Sequence, residues 1–230
     1  MPLQPIYLLA DSQLLFWRDT EGPFLTRVVR NLVPAEPKAA YIGASNDDDP
    51  QFYSIFEAAM EGIGIRDCRM ILSSFSADDE SFVFQADIIL LAGGDIERGW
   101  KVFSETGLGE LIIKRYSEGA LLIGISAGAV QLGLFGIIET EGSFNKLIDT
   151  FKLVPFAIGA HDEGSNWRGL RETIQLLDGT ATGIGIPSGA GLVYHPDGTI
   201  EALRNALTEF TMRDGVLRES LLIPGSDKQG

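Results

Sequence analysis

One serine lies in the pattern that a nucleophile of acyl transfer needs. Ser126 follows the apolar run Ala120–Ile125 within Gly124-Ile-Ser-Ala-Gly128, and a stretch able to form a helix comes next. A serine on a sharp strand-to-helix turn exposes its hydroxyl at the carboxyl edge of a sheet, and flanking glycines permit the strained backbone. The N–H of Ala127 would then face an oxyanion, aided by the helix N-terminus. The alternative is that Ser126 only caps the helix.

A serine nucleophile requires a base, and the chain has two histidines. His161 ends an apolar run, so it should emerge at a strand end, as Ser126 does. His195 lies in the segment His-Pro-Asp-Gly, which is typical of a hairpin turn with an exposed ring. We therefore predict His161 as the general base.

The acid that would orient the imidazole has several candidates. Glu141, in the polar stretch after the serine, is the predicted partner. Asp162 and Glu163 adjoin the histidine, but sequence neighbours seldom face one another across a turn. Glu139 and Asp149 are further candidates. Each of these acids could instead be solvated at the surface.

A glycine pair follows another predicted strand, Asp87–Ala92. Gly93 and Gly94 would let the backbone approach a ligand closely, so either N–H could complete an oxyanion hole with Ala127. The same residues also fit a plain turn in which Asp95 caps the next helix.

Charged side chains near these residues indicate a substrate class. Arg168 and Arg171 are one helical turn apart, so both could bind a carboxylate, which suits a planar guanidinium. Ordinary surface arginines would look the same. Asp95 would favour a cationic group such as a free amine. Together these residues predict a zwitterionic short peptide as the substrate.

The elements that must hold these residues alternate between strands and helices. Short apolar runs without polar alternation indicate strands covered on both faces, as in a parallel sheet. These runs are Ile6–Ala10, Ala39–Ile42, Arg69–Leu72, Asp87–Ala92 and Ala120–Ile125. Helix-period stretches lie between them, so the chain is predicted to form an α/β fold with a doubly wound, mostly parallel sheet and flanking helices.

One of these helices is predicted over Pro50–Gly62, with Asp49 as its cap. Its apolar residues recur at the spacing of a single buried face: Phe52, Ile55, Phe56, Ala59 and Met60. A second stripe, formed by Leu108, Leu111, Ile112 and Tyr116, stops at Gly119. Phe24–Leu32 is a weaker third helix.

After residue 180 the pattern changes to short β runs split by Pro-Ser-Gly and Pro-Asp-Gly turns. The runs Thr182–Ile186, Ala190–His195 and Thr199–Leu203 predict a C-terminal edge rich in hairpins. No linker interrupts the chain, so residues 1–223 are predicted to form one hydrolytic domain, with a flexible tail over 224–230.

Composition excludes several classes of protein. The 230 residues carry 18 basic and 32 acidic side chains, a net charge of −14 that argues against binding the phosphate backbone of nucleic acids. No apolar run approaches the roughly 18–20 residues of a membrane helix. Residues 1–20 lack a basic region followed by an apolar stretch, so we expect no cleaved signal. We expect a cytoplasmic protein. The single Cys68 excludes an internal disulfide, and we expect no metal or cofactor.

The combination of motifs resembles a known family. Gly-Gly-Asp after one strand, Gly-Ile-Ser-Ala-Gly-Ala after the next and a later histidine resemble the dipeptidase E/cyanophycinase family of serine peptidases, whose fold is like that of class I glutamine amidotransferases. The resemblance implies Ser126 as nucleophile, His161 as base, Gly94 and Ala127 as oxyanion donors, and Glu141 as the best match to the orienting acid.

The resemblance also implies cleavage next to aspartate, either in short peptides with N-terminal Asp or in the Asp–Arg units of a storage polymer. The chain departs from the family around the substrate. Asp95 is similar to the cyanophycinase branch, but Ile96 and Ala160 stand where that branch has glutamines. Only Arg168 and Arg171 replace its dense run of arginines. A late glutamate of many members is replaced by Pro-Ser.

Other functions fit parts of the pattern. An α/β-hydrolase esterase would use the same serine turn with His195 as base. A glutamine amidotransferase would need a cysteine at the turn. Cys68 instead lies in the predicted strand Asp67–Leu72 and is predicted to be a small buried hydrophobic residue. A binding module could keep the fold with an inactive site. A homodimer would cover the edge strands after residue 180.

Overall fold

A computed structural model describes residues 2–30, 36–138 and 146–225. The strands are β1 Ile6–Leu9, β2 Arg18–Asp19, β3 Gly22–Pro23, β4 Lys38–Ile42, β5 Asp67–Ile71, β6 Ile88–Leu91, β7 Leu121–Ile125, β8 Phe135–Ile138, β9 Lys146–Asp149, β10 Phe156–Ala160, β11 Thr182–Ile186, β12 Gly191–Tyr194, β13 Ile200–Leu203, β14 Leu207–Arg213 and β15 Val216–Leu222. The α-helices are α1 Phe24–Val29, α2 Pro50–Glu61, α3 Ala77–Gln85, α4 Ile96–Glu105, α5 Leu108–Ser117, α6 Ala127–Leu132 and α7 Arg168–Leu176.

The central sheet has the strand order β13-β12-β1-β7-β6-β4-β5. Its strands β1, β7, β6, β4 and β5 are parallel, whereas β12 and β13 pair antiparallel at one edge. The five apolar runs predicted as covered strands are these five parallel strands. The prediction of a doubly wound, mostly parallel sheet is therefore confirmed.

Helices cover both faces of this sheet, which explains why its inner strands β6 and β7 are apolar throughout. Leu122 of β7 belongs to the core beneath α3, α4 and α5. Its neighbours Leu121 and Ile123 point the other way, into the core beneath α1 and α2. Because successive residues of a strand face opposite sides, a sheet buried on both sides cannot show polar alternation.

A second sheet, which the sequence analysis did not separate, has the order β10-β11-β14-β15. The run Thr182–Ile186 was expected at the edge of the main sheet, but it pairs in parallel with β10 instead. Only β12 and β13 extend the central sheet. The short connection 187–190 carries the chain from one sheet to the other, and an apolar run does not reveal which sheet it will join.

Helix α2 matches its predicted span to within one residue, and the Asp49 carboxylate accepts the N–H of Gln51 at 2.8 Å as its cap. Its apolar face does not stay in the core. Phe56 and Met60 are buried, but Phe52 is 51% exposed and Ile55 is 37% exposed. The prediction of one continuous buried face is wrong for these two residues, because the first turns of α2 extend past the core.

Within the described ranges, no helix is long and apolar enough to span a membrane. Most of the predicted tail, residues 226–230, lies outside those ranges.

Candidate active site

Ser126 occupies a strained turn between β7 and α6. Its backbone has φ 50° and ψ −111°, outside the regions that residues with a Cβ normally adopt. Its N–H donates to the carbonyl of Leu9 at 2.9 Å, and its own carbonyl accepts the N–H of Val130 at 3.0 Å. The side chain makes no capping hydrogen bond. The turn thus frees the hydroxyl, which argues against a simple capping role.

The flanking glycines permit this turn because α6 lies very close to the sheet. A Cβ on Gly124 would lie 2.6 Å from the carbonyl oxygen of Gly128, and a Cβ on Gly128 would lie 2.3 Å from that of Leu91. Both separations are shorter than a Cβ atom can approach a non-bonded oxygen. The Gly-x-Ser-x-Gly pattern is therefore a packing requirement of this strand–turn–helix unit.

His161 follows the last residue of β10, in the second sheet. Its N–H donates to the carbonyl of Ile186 at 2.9 Å, and its φ is 44°. Its Nε2 lies 2.7 Å from the Oγ of Ser126, within hydrogen-bond distance. The serine and the predicted base therefore meet, one from each sheet.

His195 is placed elsewhere. It lies in the turn between β12 and β13, and its Nε2 is 3.5 Å from a carboxylate oxygen of Glu201. The structure thus brings His161, and not His195, to Ser126. The esterase interpretation that relied on His195 loses its base.

The predicted orienting acid, Glu141, lies in the segment 139–145, outside the described residues, as does Glu139; the role of Glu141 stays a prediction. Asp149 pairs with Lys152 at 2.7 Å. Asp162 accepts a hydrogen bond from the hydroxyl of Ser165.

Glu163 is a described acid that interacts electrostatically with His161. One carboxylate oxygen accepts the N–H of Ser188 at 3.1 Å. Partial burial raises the pKa of Glu163, but hydrogen bonds from its own backbone N–H and from Ser188, together with attraction to His161, outweigh that effect and leave the pKa below its ordinary value. Glu163 therefore remains a carboxylate that can stabilise a nearby imidazolium.

The backbone N–H groups of Gly93, Gly94 and Ala127, beside Ser126, make no hydrogen bond within the described chain. Gly94 has φ 135°, and a Cβ there would lie 2.1 Å from the carbonyl oxygen of Ser45. That carbonyl accepts the N–H of Asp95 at 2.7 Å. Only glycine fits at position 94, and its N–H is free to bind an oxyanion together with that of Ala127.

A buried polar bridge, which the sequence analysis missed, joins this turn to the serine helix. Gln131 of α6 is fully buried, and its amide nitrogen donates to the hydroxyl of Ser45 at 3.1 Å and to the carbonyl of Ile96 at 3.0 Å. The signal was one polar residue inside the apolar stretch Ala127–Leu132, because a buried amide requires partners. The bridge therefore links α6, which begins at Ala127, to Ser45 and to the start of α4 at Ile96.

The three predicted substrate-binding residues have different surroundings. The Asp95 carboxylate caps α4 by accepting the N–H of Arg98 at 2.7 Å. Arg168 has a side chain that is 79% exposed, with its Nε 3.2 Å from a carboxylate oxygen of Glu172. Arg171 is ion-paired with Glu219, and its guanidinium lies over the ring of Phe210. Arg168 lines a cleft together with Ser126 and His161, whereas Arg171 is paired with a residue of the second sheet.

Two recesses meet at Gly94, Ser126 and His161 and otherwise have separate walls. The apolar pocket has a volume of about 270 Å³ and is walled by Leu15, Tyr41, Phe52, Ile55, Phe56 and Leu90. The Arg168 cleft has a volume of about 390 Å³ and is lined by Arg168, Asp162, Ser165 and apolar residues of β8 and α6.

Cys68 lies on β5, away from the serine turn. Burial and, to a smaller extent, the charges of Glu57 and Asp67 raise the pKa of its thiol to about 11. A thiol with such a pKa is a poor nucleophile at neutral pH, which agrees with its interpretation as a structural residue. In the described part of the chain, no group of three or more His, Cys, Asp or Glu side chains could hold a metal ion.

The model of peptidase family S51 matches residues 4–202. The chain belongs to peptidase family S51. This membership confirms the resemblance to the dipeptidase E family. An uncharacterized peptidase, YgaJ, of Bacillus subtilis (strain 168) is 27% identical over 116 residues. That match spans 49% of each chain, so the chain aligns with about half the length of this relative.

Two solved structures share the fold. A peptidase from an acI-B1 Actinobacterium superposes with a TM-score of 0.69 at 15% identity, covering 97% of this chain and 96% of its own. A candidate peptidase E protein from Listeria monocytogenes EGD-e superposes with a TM-score of 0.65 at 19% identity, covering 88% and 99%. The family S51 chain therefore has the fold of its structural neighbours.

Proposed function

We propose that this member of family S51 is a serine peptidase that hydrolyses a short peptide next to an aspartyl residue. One observation carries the proposal. The Ser126 hydroxyl lies 2.7 Å from the Nε2 of His161 on a positive-φ turn, a geometry that serves nucleophilic catalysis and that a purely structural serine does not need.

The chemistry follows from these positions. As the Ser126 oxygen bonds to the scissile carbonyl carbon, its proton passes to His161, and the carbonyl electron pair moves to the oxygen. The N–H groups of Gly94 and Ala127 stabilise that oxyanion. When the tetrahedral intermediate collapses, the C–N bond breaks and His161 gives its proton to the leaving amine. Water then attacks the acyl carbon as His161 takes its proton. Collapse of the second tetrahedral intermediate breaks the bond to the Ser126 oxygen, which recovers the proton from His161.

The substrate class rests on Arg168. Its ion pair with Glu172 is exposed, and such pairs contribute only about 0–1 kcal/mol. An incoming carboxylate can therefore replace Glu172 at little cost. A planar guanidinium binds a carboxylate through two parallel hydrogen bonds, so the Arg168 cleft suits the aspartyl side chain. Arg171 would first have to leave Glu219 to take part.

The deciding experiment measures hydrolysis of Asp-X, Glu-X, β-Asp-Arg and neutral dipeptides by the wild type and by Ser126→Ala. We expect Asp-X peptides to be cleaved fastest, and Ser126→Ala to lose at least about 10⁴-fold in kcat. A fast β-Asp-Arg reaction would instead indicate a cyanophycinase-like substrate. Hydrolysis that persists unchanged in Ser126→Ala would refute the proposed nucleophile.

Arg168→Ala tests the substrate assignment. We expect KM for Asp-X peptides to rise about tenfold or more, because a hydrogen bond to a charged group contributes about 1.5–3 kcal/mol. Neutral peptides should be unaffected. Arg218→Ala, which removes an exposed arginine of β15 outside both recesses, is the matched control. If KM in Arg168→Ala stays equal to that of the control, Arg168 does not bind the substrate.

A further inference from the structure

Helix α2 presents unused apolar surface beside the proposed nucleophile. Phe52 and Ile55 continue the apolar face formed by Phe56 and Met60, but they are 51% and 37% exposed where the others are buried. Both line the apolar pocket, whose floor includes Ser126. Large apolar side chains left open to solvent at the mouth of a cavity commonly mark a ligand-binding surface.

Two polar side chains of this pocket have partners, those of Asp11 and Asn46, although the Oδ1 of Asn46 is buried without a hydrogen bond. The Asp11 carboxylate accepts the N–H groups of Gly189 at 2.7 Å and Gln13 at 2.8 Å. The amide nitrogen of Asn46 donates to the hydroxyl of Tyr41 at 2.7 Å. Of the described residues, no lysine or arginine lines the pocket. The pocket therefore offers dispersion contacts and removal of apolar area from water. Its described lining gives no cation to an anionic group, and its one carboxylate, that of Asp11, already accepts two backbone N–H groups.

The volume limits what can enter. At about 270 Å³, the pocket lies just below the range of about 300–1,000 Å³ that is usual for whole small-molecule ligands. It fits one large apolar side chain, such as that of leucine, methionine or phenylalanine, better than a longer molecule.

The position of the pocket assigns that side chain to one side of the scissile bond. The pocket shares only Gly94, Ser126 and His161 with the Arg168 cleft. A dipeptide whose scissile carbonyl carbon is at Ser126 can therefore place its two side chains in different recesses. With the aspartyl residue in the Arg168 cleft, the residue that carries the leaving amine faces α2.

We propose that the apolar pocket is the subsite for a large apolar residue on the leaving-amine side of the substrate. This inference rests on the proposed function and specifies its substrate as an Asp-(large apolar) peptide. Recognition on the two sides then differs in kind, with charge pairing in one recess and burial of apolar area in the other.

The test compares kcat/KM for Asp-Leu, Asp-Phe, Asp-Ala and Asp-Lys. We expect wild type to prefer Asp-Leu over Asp-Ala by about tenfold, since a few methylene groups in an apolar pocket discriminate by that order. Phe52→Ala should reduce this ratio to about threefold or less, because it removes one wall of the pocket. Ile55→Asp should reverse the order of Asp-Leu and Asp-Lys. Both residues are partly exposed, so these variants should fold.

Phe84→Ala is the matched control, because Phe84 is a 47% exposed phenylalanine of α3 outside both recesses. It should retain the wild-type ratio. Equal rates for Asp-Leu and Asp-Ala in wild type, or a ratio that Phe52→Ala leaves unchanged, would overturn the subsite.

A parallel series with Ala-Leu and Ala-Ala separates this inference from the proposed function. If neutral peptides are cleaved as fast as acidic ones, the aspartyl preference fails, yet the ratio of Leu to Ala still tests the pocket. If nothing is cleaved, calorimetric titration of Ser126→Ala with Asp-Leu and Asp-Ala replaces kinetics. Equal affinities, or no binding of either peptide, would reject the subsite.

Discussion

Gly159 of β10 and Gly185 of β11 lie directly opposite one another, and the indole of Trp167 covers both. A Cβ on Gly185 would lie 2.7 Å from the ring, and one on Gly159 would lie 3.5 Å from it. Trp167 is buried and, like His161, has a positive φ. The two glycines thus make room for a side chain that anchors the segment which begins at His161.

Gly185→Ala should therefore damage both stability and activity. The added methyl group must displace the indole, and such overpacking costs about 1–3 kcal/mol. A shift of about 1 Å in His161 would lower kcat by about 100-fold. Urea unfolding and steady-state kinetics measure the two effects. The variant Gly185→Ala/Trp167→Leu, compared with each single change, should show a coupling of about 1 kcal/mol or more; additive effects would contradict the contact.

Gly94→Ala should remove an oxyanion donor. Its Cβ would lie 2.1 Å from the Ser45 carbonyl oxygen, so the turn must move and carry the N–H away. We expect kcat to fall about 100- to 1000-fold, as is usual on loss of one such donor, with a smaller change in KM. Gly64→Ala is the control, because Gly64 also has a positive φ but no atom within 4 Å of its Cβ position. An equal loss in both variants would show that backbone strain alone is responsible.

Ser126→Gly should be more stable than Ser126→Ala. Both variants lose the hydrogen bond to His161, so this effect cancels in the comparison. Only glycine relaxes the backbone strain at φ 50°. For other residues this strain costs roughly 1–3 kcal/mol. The greater conformational entropy of glycine in the unfolded chain offsets part of that gain in stability. We expect a net difference of about 1 kcal/mol in urea unfolding. Equal stability would mean that the turn is not strained.

Acid should destabilise the wild type more than Glu163→Gln. The pKa of Glu163 is lowered from its ordinary 4.5 in the folded chain. Its stabilising contribution is therefore complete above about pH 4.5 and is lost as the pH falls through the lower folded pKa. Glutamine keeps an acceptor for the N–H of Ser188 but cannot titrate. The free energies of unfolding of the wild type and of Glu163→Gln, measured between pH 7 and 3, should converge at low pH. A constant difference across this range would show that Glu163 does not contribute to acid destabilisation.

Cys68 should react slowly with iodoacetamide. With a pKa of about 11, only about one thiol in a thousand is ionised at pH 8, compared with roughly a quarter of free cysteine. Mass spectrometry of a labelling time course measures the rate. Cys68→Ala should keep full peptidase activity. Rapid labelling, or activity lost with the thiol, would reopen a role for Cys68.

Much of the central sheet and its flanking turns could be predicted because the sequence patterns that specify them are local. The parallel strands of the central sheet appear as apolar runs, the cap of α2 as Asp49-Pro50, and the serine turn as two glycines around Ser126. The pairing of Ser126 with His161 was also predicted, because both residues end apolar runs. The prediction did not foresee that the two runs belong to different sheets.

What the sequence concealed depends on contacts between distant segments. An apolar run shows that a strand is buried but not which sheet it joins, so the second sheet was missed. Helical spacing shows that Phe52 and Ile55 share a face with the core but not that the core ends before them. The partners of Gln131 are likewise 86 and 35 positions away along the chain.

The proposed nucleophile and its base belong to different sheets, Ser126 to the central one and His161 to the second. Their separation therefore reports how the two halves of the molecule are aligned. A displacement of about 1 Å between the sheets would break the hydrogen bond while leaving each sheet intact. Warming or mild denaturant should consequently abolish turnover before the strands themselves unfold, which makes activity a more sensitive measure of native alignment than secondary structure.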